Sequence, residues 1–212
     1  MKKNIVLTVV CCVVFSLVLI AGFMYRLSQP RILNQYEMRE YGAMMLDVPR
    51  RFSDFELVSH RNTTFTKADL EGKWTLVFFG FTHCPDVCPT TLAILNKVYE
   101  PLSDKEKEKI QVLLLSVDPE RDTAPKLAEY VTYFNPAFTG LTGNPHQIFS
   151  LATQLGVVYS KVPLDGDDYT VDHSGNVVLI NPMGDYHGFF RPPFEEGSLR
   201  VSLRSILSTF EY

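Results

Sequence analysis

The stretch that most restricts how this chain can fold is Lys73-Trp-Thr-Leu-Val-Phe-Phe-Gly-Phe-Thr-His-Cys-Pro-Asp-Val-Cys-Pro-Thr-Thr-Leu92. Its uninterrupted apolar run, Thr75 to Phe79, reads as a strand buried on both faces. Gly80 then leads into Cys84-Pro-Asp-Val-Cys88, and beyond Pro89 the residues Leu92, Leu95 and Tyr99 fall on one helical face. Pro89 is tolerated near a first helical turn, where its missing N–H would have no intrahelical partner. Two cysteines therefore sit where a buried strand hands over to a helix N-terminus. Free N–H groups and the helix dipole there favour a thiolate, which raises both reactivity and metal affinity.

Lys2 and Lys3 precede an uncharged stretch from Asn4 to Tyr25, long enough to cross a hydrocarbon core of roughly 30 Å as a helix. A cleaved signal peptide shares the basic start and apolar core. The length of the run and the lack of a small-x-small site after it (Ser28-Gln-Pro30 is a poor one) favour a retained anchor. Cys11 and Cys12 read as small apolar residues within that helix, since Thr-Val-Val before Cys11 is no lipoprotein lead-in. The expected organisation is a short cytoplasmic segment at 1–3, an anchor at 4–25, a tether at 26–49 and one domain at 50–212. The short leader favours an inside N-terminus, although Arg26 and Arg31 partly offset Lys2 and Lys3. With no Arg/Ser-rich transit sequence before the anchor, the expected location is a bacterial inner membrane, the domain facing the periplasm or cell exterior. There, oxidation of Cys84 and Cys88 is thermodynamically open. A net charge of −4 and no basic stripe exclude nucleic acid as an expected partner.

Strand patterns are expected over Phe52–Val58, Thr63–Thr66, Ile110–Val117, Phe138–Leu141, Val157–Val162 and Tyr169–His173. Val177–Ile180 and Tyr186–Phe190 form a hairpin across Asn181-Pro-Met-Gly184. Helices are marked by Leu127, Tyr130, Val131 and Phe134, by Ile148, Leu151 and Leu155 behind Asn144-Pro145, and by Leu199, Leu203, Ile206 and Phe210. Thr66 with Asp69 resembles a capping box. Lys105–Lys109 reads as a solvated linker, and Asp165-Gly-Asp-Asp168 as a loop. The order β-α-β-α followed by β-β-α, with cysteines opening the first major helix, indicates an α/β, thioredoxin-like mixed sheet flanked by helices.

Cysteines at i and i+4 on a helix share a face with Cβ atoms about 5–6 Å apart. That separation permits a disulfide or convergence on one metal ion. A disulfide closing so short a loop stabilises little in the chain-entropy model. Among the histidines, His83 adjoins Cys84, His60 and His146 lie in turn-like surface contexts, and His187 is expected to be exposed on the terminal hairpin. His173 follows Tyr-Thr-Val-Asp, where a connection of a thioredoxin-like fold passes the cysteine helix. It is the preferred third ligand.

Four motifs together resemble the SCO/SenC family: Gly-Phe-Thr-His-Cys-Pro-Asp-Val-Cys-Pro-Thr-Thr-Leu, Ser-Val-Asp-Pro-Glu-Arg-Asp-Thr, Phe-Thr-Gly-Leu-Thr-Gly and Tyr-Thr-Val-Asp-His-Ser. Members of that family are membrane-tethered thioredoxin-like proteins that deliver copper to cytochrome c oxidase. The resemblance runs from about Phe52 to Phe190. It implies that Cys84, Cys88 and His173 are copper ligands, with Asp86 and Asp118 as supporting residues behind them. The implied acceptor is the binuclear copper centre of oxidase subunit II, and no small organic substrate is expected. Soft thiolates select Cu(I) and imidazole suits either oxidation state, while zinc also suits two cysteines, a histidine and water. Donor chemistry leaves the metal open; the resemblance points to copper.

The competing activity is thiol–disulfide exchange, in which one cysteine attacks a partner disulfide and the other resolves it. A peroxidase reading lacks the Pro-x-x-x-Thr-x-x-Cys pattern. A thioredoxin would be expected to place a cis-proline where this chain has His173.

Overall fold

The computed structural model describes residues 2–28, 31–166 and 168–209. The expected inward Phe210, the Asp167 part of the acidic loop and the Gln29-Pro30 junction lie outside them. The first helix, α1 (Lys2–Ser28), contains the stretch Lys3–Leu27, which is long and apolar enough to span a membrane. At about 1.5 Å per residue it covers roughly 40 Å. Its apolar side chains are exposed all round, as a segment solvated by lipid would be.

The folded domain begins earlier than 50. Asn34 and Glu37 form a capping box that opens α2 (Gln35–Glu40). β1 (Ala43–Arg50) follows and pairs antiparallel with β10 (Tyr186–Phe190). The expected tether at 26–49 is thus corrected over its second half. Leu33, Met38 and Ala43 are buried, and Met44 and Met45 belong to a sheet edge. No local alternation announces this strand, because its burial fades along its length instead of alternating between faces.

Next come β2 (Glu56–Ser59), β3 (Thr64–Thr66) and a single 3-10 turn, Lys67–Leu70, closed by the Thr66–Asp69 capping box. The centre is β4 (Trp74–Gly80), buried along its whole length. It leads to α3 (Val87–Tyr99), α4 (Asp104–Glu108) and β5 (Ile110–Ser116). The charged segment expected as a linker is therefore helical over α4, because Ser103 and Glu106 cap it reciprocally. It carries no buried residue. The chain continues through α5 (Ala124–Phe134), β6 (Thr139–Thr142), α6 (Pro145–Gln154), β7 (Tyr159–Pro163), β8 (Tyr169–His173), β9 (Val177–Ile180), β10 and α7 (Glu196–Thr209).

The main sheet has the order β1-β10-β9-β4-β5-β6-β2-β3. β4, β5 and β6 run parallel through the helical crossovers, and β9 lies antiparallel to β4. This is the mixed sheet with flanking helices expected of a thioredoxin-like fold. β7 and β8 form a separate two-stranded sheet; the strand expected over Val157–Val162 is realised as β7, outside the main sheet. β7 is exposed over most of its length. The consequence for function is that His173 ends a hairpin standing apart from the main sheet.

Candidate metal centre

β4 delivers the chain to Gly80, whose carbonyl accepts from the Val117 N–H at 2.9 Å. A turn closed by Cys84 N–H to the Phe81 carbonyl, 3.3 Å, sets Cys84 just ahead of α3. The Cys88 N–H donates to Cys84 Sγ at 3.3 Å, and the Asp86 N–H also supports that sulfur. Cys84 Sγ therefore occupies the place of an anion at a helix N-terminus. Cys88 is fully buried. A Cβ on Gly80 would stand 2.9 Å from Cys88 Sγ, so the glycine makes room for the second thiol.

His173 closes the site from β8. Its Nε2 lies 3.4 Å from Cys88 Sγ. The ligand atoms of Cys84, Cys88 and His173 all lie within 4.8 Å of one another. Nδ1 lies 3.2 Å from the Ser174 carbonyl. That contact turns Nδ1 to the backbone and leaves Nε2 facing the sulfurs, the arrangement expected of a metal-ligating histidine. The ring is held edge-on by Phe78 and Phe81, with centroids 5.8 and 5.9 Å away.

The thiols are electrostatically unequal. The hydrogen bond from Cys88 holds the Cys84 thiol down to about 4, against the opposing effect of burial and with help from His173 and two backbone N–H groups. The same hydrogen bond pushes the Cys88 thiol far above its ordinary value, and deep burial adds to it. One proton is shared by the pair. It resides on Cys88, because Cys84 has the helix N–H groups and Cys88 is shut away from water.

The expected supporting residues have different places. Asp86 is exposed and its side chain makes no capping bond, so what it contributes is its backbone N–H. Asp118 is fully buried and touches none of the three ligands. It accepts from Tyr169 Oη at 2.8 Å and from Arg121 Nε at 2.5 Å. A third carboxylate, Asp122, escapes a reading of the sequence. Buried completely, it accepts from the Thr82 N–H at 3.0 Å, the Thr82 hydroxyl at 2.6 Å and the Ser116 hydroxyl at 2.6 Å. It ties the cysteine loop to the end of β5. The only trace in the sequence was its place at the end of Ser-Val-Asp-Pro-Glu-Arg-Asp.

The other histidines stay away from the sulfurs. His83 is half-exposed, with Nδ1 3.1 Å from Thr82 Oγ1. His60, expected at the surface, is buried and its Nδ1 accepts from the Gly140 N–H at 3.0 Å. His187, expected to be exposed, is half-buried and packs edge-on against Trp74 at 5.0 Å. His146 is exposed.

The SCO1/SenC family profile matches residues 45–208. The chain belongs to the SCO1/SenC family. A Stutzerimonas stutzeri protein is 37% identical over 165 residues, covering 78% of this chain and 81% of that protein. The bovine mitochondrial SCO2 homologue is 40% identical over 159 residues, which is 74% of this chain and 60% of the bovine protein. The chain thus spans somewhat less than two thirds of that mitochondrial relative. The crystal structure of Arabidopsis thaliana ScoI with copper bound superposes with a TM-score of 0.68 at 36% identity, covering 74% of this chain and 98% of that one. Yeast Sco1 with copper bound gives a TM-score of 0.70 at 30% identity, covering 77% and 91%. Family membership and fold agree with the four sequence motifs.

Proposed function

We propose that this protein is a membrane-anchored copper carrier of the SCO1/SenC family, with Cys84, Cys88 and His173 as its ligands and cytochrome c oxidase assembly as its task. The observation that carries this reading is the approach of two sulfurs and one imidazole nitrogen to within 4.8 Å of one another. Two soft thiolates suit Cu(I), and the imidazole lets the same set hold Cu(II). Copper is present in the related Arabidopsis and yeast structures, which favours it over zinc. The acceptor that best fits the family's role is the binuclear copper centre of oxidase subunit II. In this reading α1 anchors the chain in a bacterial inner membrane and the domain lies outside the cytoplasm.

Purified, reduced protein is expected to bind one copper ion. His173→Ala should weaken Cu(I) binding at least tenfold, about 1.4 kcal/mol, with both thiols still titratable. Competition against a Cu(I) chelator measures this. Equal affinity in the variant would sink the three-ligand set, and a protein that takes zinc but refuses copper would sink the assignment.

A second reading, thiol–disulfide exchange with an extracytoplasmic partner, is supported by the unequal thiols. Cys84 is held as a thiolate and Cys88 as a buried, protonated resolving group. It predicts that His173→Ala restores oxidase assembly in cells nearly as well as wild type, which a copper carrier would not allow.

A further inference from the structure

The hairpin that carries His173 has no place in the main sheet. A lone two-stranded hairpin is at best marginally stable in water, so contacts elsewhere must fix where His173 points. Period-two alternation puts Tyr169, Val171 and His173 on one face of β8. Val171 is buried, while Asp172 on the other face is exposed. A slip of one residue would turn His173 away from the sulfurs. The register of the hairpin is therefore also the geometry of the site.

At the far end of that face stands Tyr169, and the side chain that grips it is Arg121. The guanidinium carbon lies 3.8 Å from the Tyr169 ring centroid. Nη1 donates to the Tyr169 carbonyl at 2.9 Å and to Asp168 Oδ1 at 3.2 Å. Nε donates to Asp118 Oδ2, whose second oxygen accepts from the Tyr169 hydroxyl at 2.8 Å. Asp118 is fully buried and Arg121 mostly so, so the charge-assisted bond between them is little weakened by water, whereas Asp168 is exposed. The same guanidinium lies 5.9 Å from the ring of Phe81, the residue that braces the His173 imidazole and opens the cysteine loop. One residue further on, Asp122 holds that loop through Thr82. The turn after β5 thus grips both ligand-bearing segments at once.

We infer that Arg121, backed by Asp118 and acting through Tyr169, is a positioning residue that sets His173 against Cys84 and Cys88. The role rests on the copper reading for its purpose but not for its geometry. Arg121 touches no ligand atom; it acts through the strand. Lysine is a poor substitute, because a single ammonium lacks the planar fork that reaches Asp118 and the Tyr169 carbonyl together.

The test uses the full chain in detergent with ¹⁵N-labelled histidine, reduced and metal-free. His173 is assigned by its loss in His173→Ala. In Arg121→Ala and Arg121→Lys, the His173 ring nitrogens should move toward the values of the exposed His146, with His60 and His187 unchanged. With copper added, Arg121→Ala should lose Cu(I) affinity by about the factor lost in His173→Ala. The double variant should then lose little more, since both changes remove the same donor. Cu(II) spectra of Arg121→Ala should lose the imidazole nitrogen coupling. Wild-type histidine resonances and copper affinity in the Arg121 variants, or fully additive losses in the double variant, would overturn the assignment. If Arg121→Ala does not fold, Arg121→Lys and Tyr169→Phe decide it by the same two measurements. A wild-type chain that binds no copper refutes the copper reading, and the metal-free resonances then judge the positioning role alone.

Discussion

The difference between Cys84 and Cys88 is set by where each sulfur sits. They are four residues apart, yet one faces helix N–H groups and the other is sealed in the core. An acid whose value falls to about 4 is a thiolate throughout the neutral range. Alkylation follows the thiolate fraction, so iodoacetamide should modify Cys84 of the reduced, metal-free protein at a rate flat from about pH 6 to 9. A free cysteine would instead accelerate through about 8.5. Cys88 should resist until Cys84 has reacted, as peptide mass spectrometry of timed samples would show. A rate rising tenfold per pH unit across that range would contradict the assignment of the shared proton. Gly80 makes a second residue-level case. Its missing Cβ leaves space for Cys88 Sγ and for the Phe78 ring, each of which a methyl would meet at 2.9 Å. Gly80→Ala should cost about 1–3 kcal/mol of stability by overpacking, seen in a urea titration, and should weaken copper binding by displacing Cys88.

At the scale of elements, the loop joining β4 to α3 depends on Asp122. Asp122→Ala would leave the Thr82 N–H and two hydroxyls without their acceptor in a buried setting. Each orphaned buried donor costs about 1–3 kcal/mol, so a loss of at least about 2 kcal/mol is expected in chemical denaturation. Copper affinity should fall with it, because Thr82 stands two residues before Cys84. Asp122 and Arg121 lie in the Ser-Val-Asp-Pro-Glu-Arg-Asp-Thr motif, yet the motif does not disclose their roles, and the reason is physical. A carboxylate that accepts three buried bonds looks, in sequence, like any other aspartate. Cys84 and Cys88 were readable because paired thiols at a strand-to-helix turn have few uses, and His173 because its motif resembles that of the family. Asp118 was expected behind the ligands from its motif alone; its burial and its bond to Tyr169 depend on a hairpin whose departure from the sheet no local pattern records. β7 alternates no differently from a sheet strand, and only its exposure in the fold separates it from one.

The whole molecule is a sheet whose centre, β4, carries the site at its end and whose first edge strand comes from the segment that follows α1. That edge decides where the folded unit begins. β1 runs antiparallel to β10, which pairs with β9, which pairs with β4; β1 is thus three ladders from the cysteine strand. Gly188 on β10 lies so close to β1 that a Cβ there would meet the Met44 carbonyl oxygen at 2.3 Å. The Leu33 N–H donates to the Ser205 hydroxyl of α7 at 2.7 Å, tying the same segment to the last helix. A chain beginning at Arg31 keeps all of this. A chain beginning at Arg50 loses Leu33, Met38 and Ala43 from the core and leaves β10 as a bare edge. Burying a large aliphatic side chain is worth about 1.5–3 kcal/mol, and a domain is stable by only about 5–15 kcal/mol. The shorter chain should therefore lose several kcal/mol, and its exposed β10 edge should promote association. Urea midpoints and light scattering of the two truncated chains measure both effects. Equal midpoints would mean that residues 31–49 are a tether after all. If the shorter chain is less stable yet binds copper as well as the longer one, the edge supports the fold while the site depends on β4, α3 and the hairpin alone.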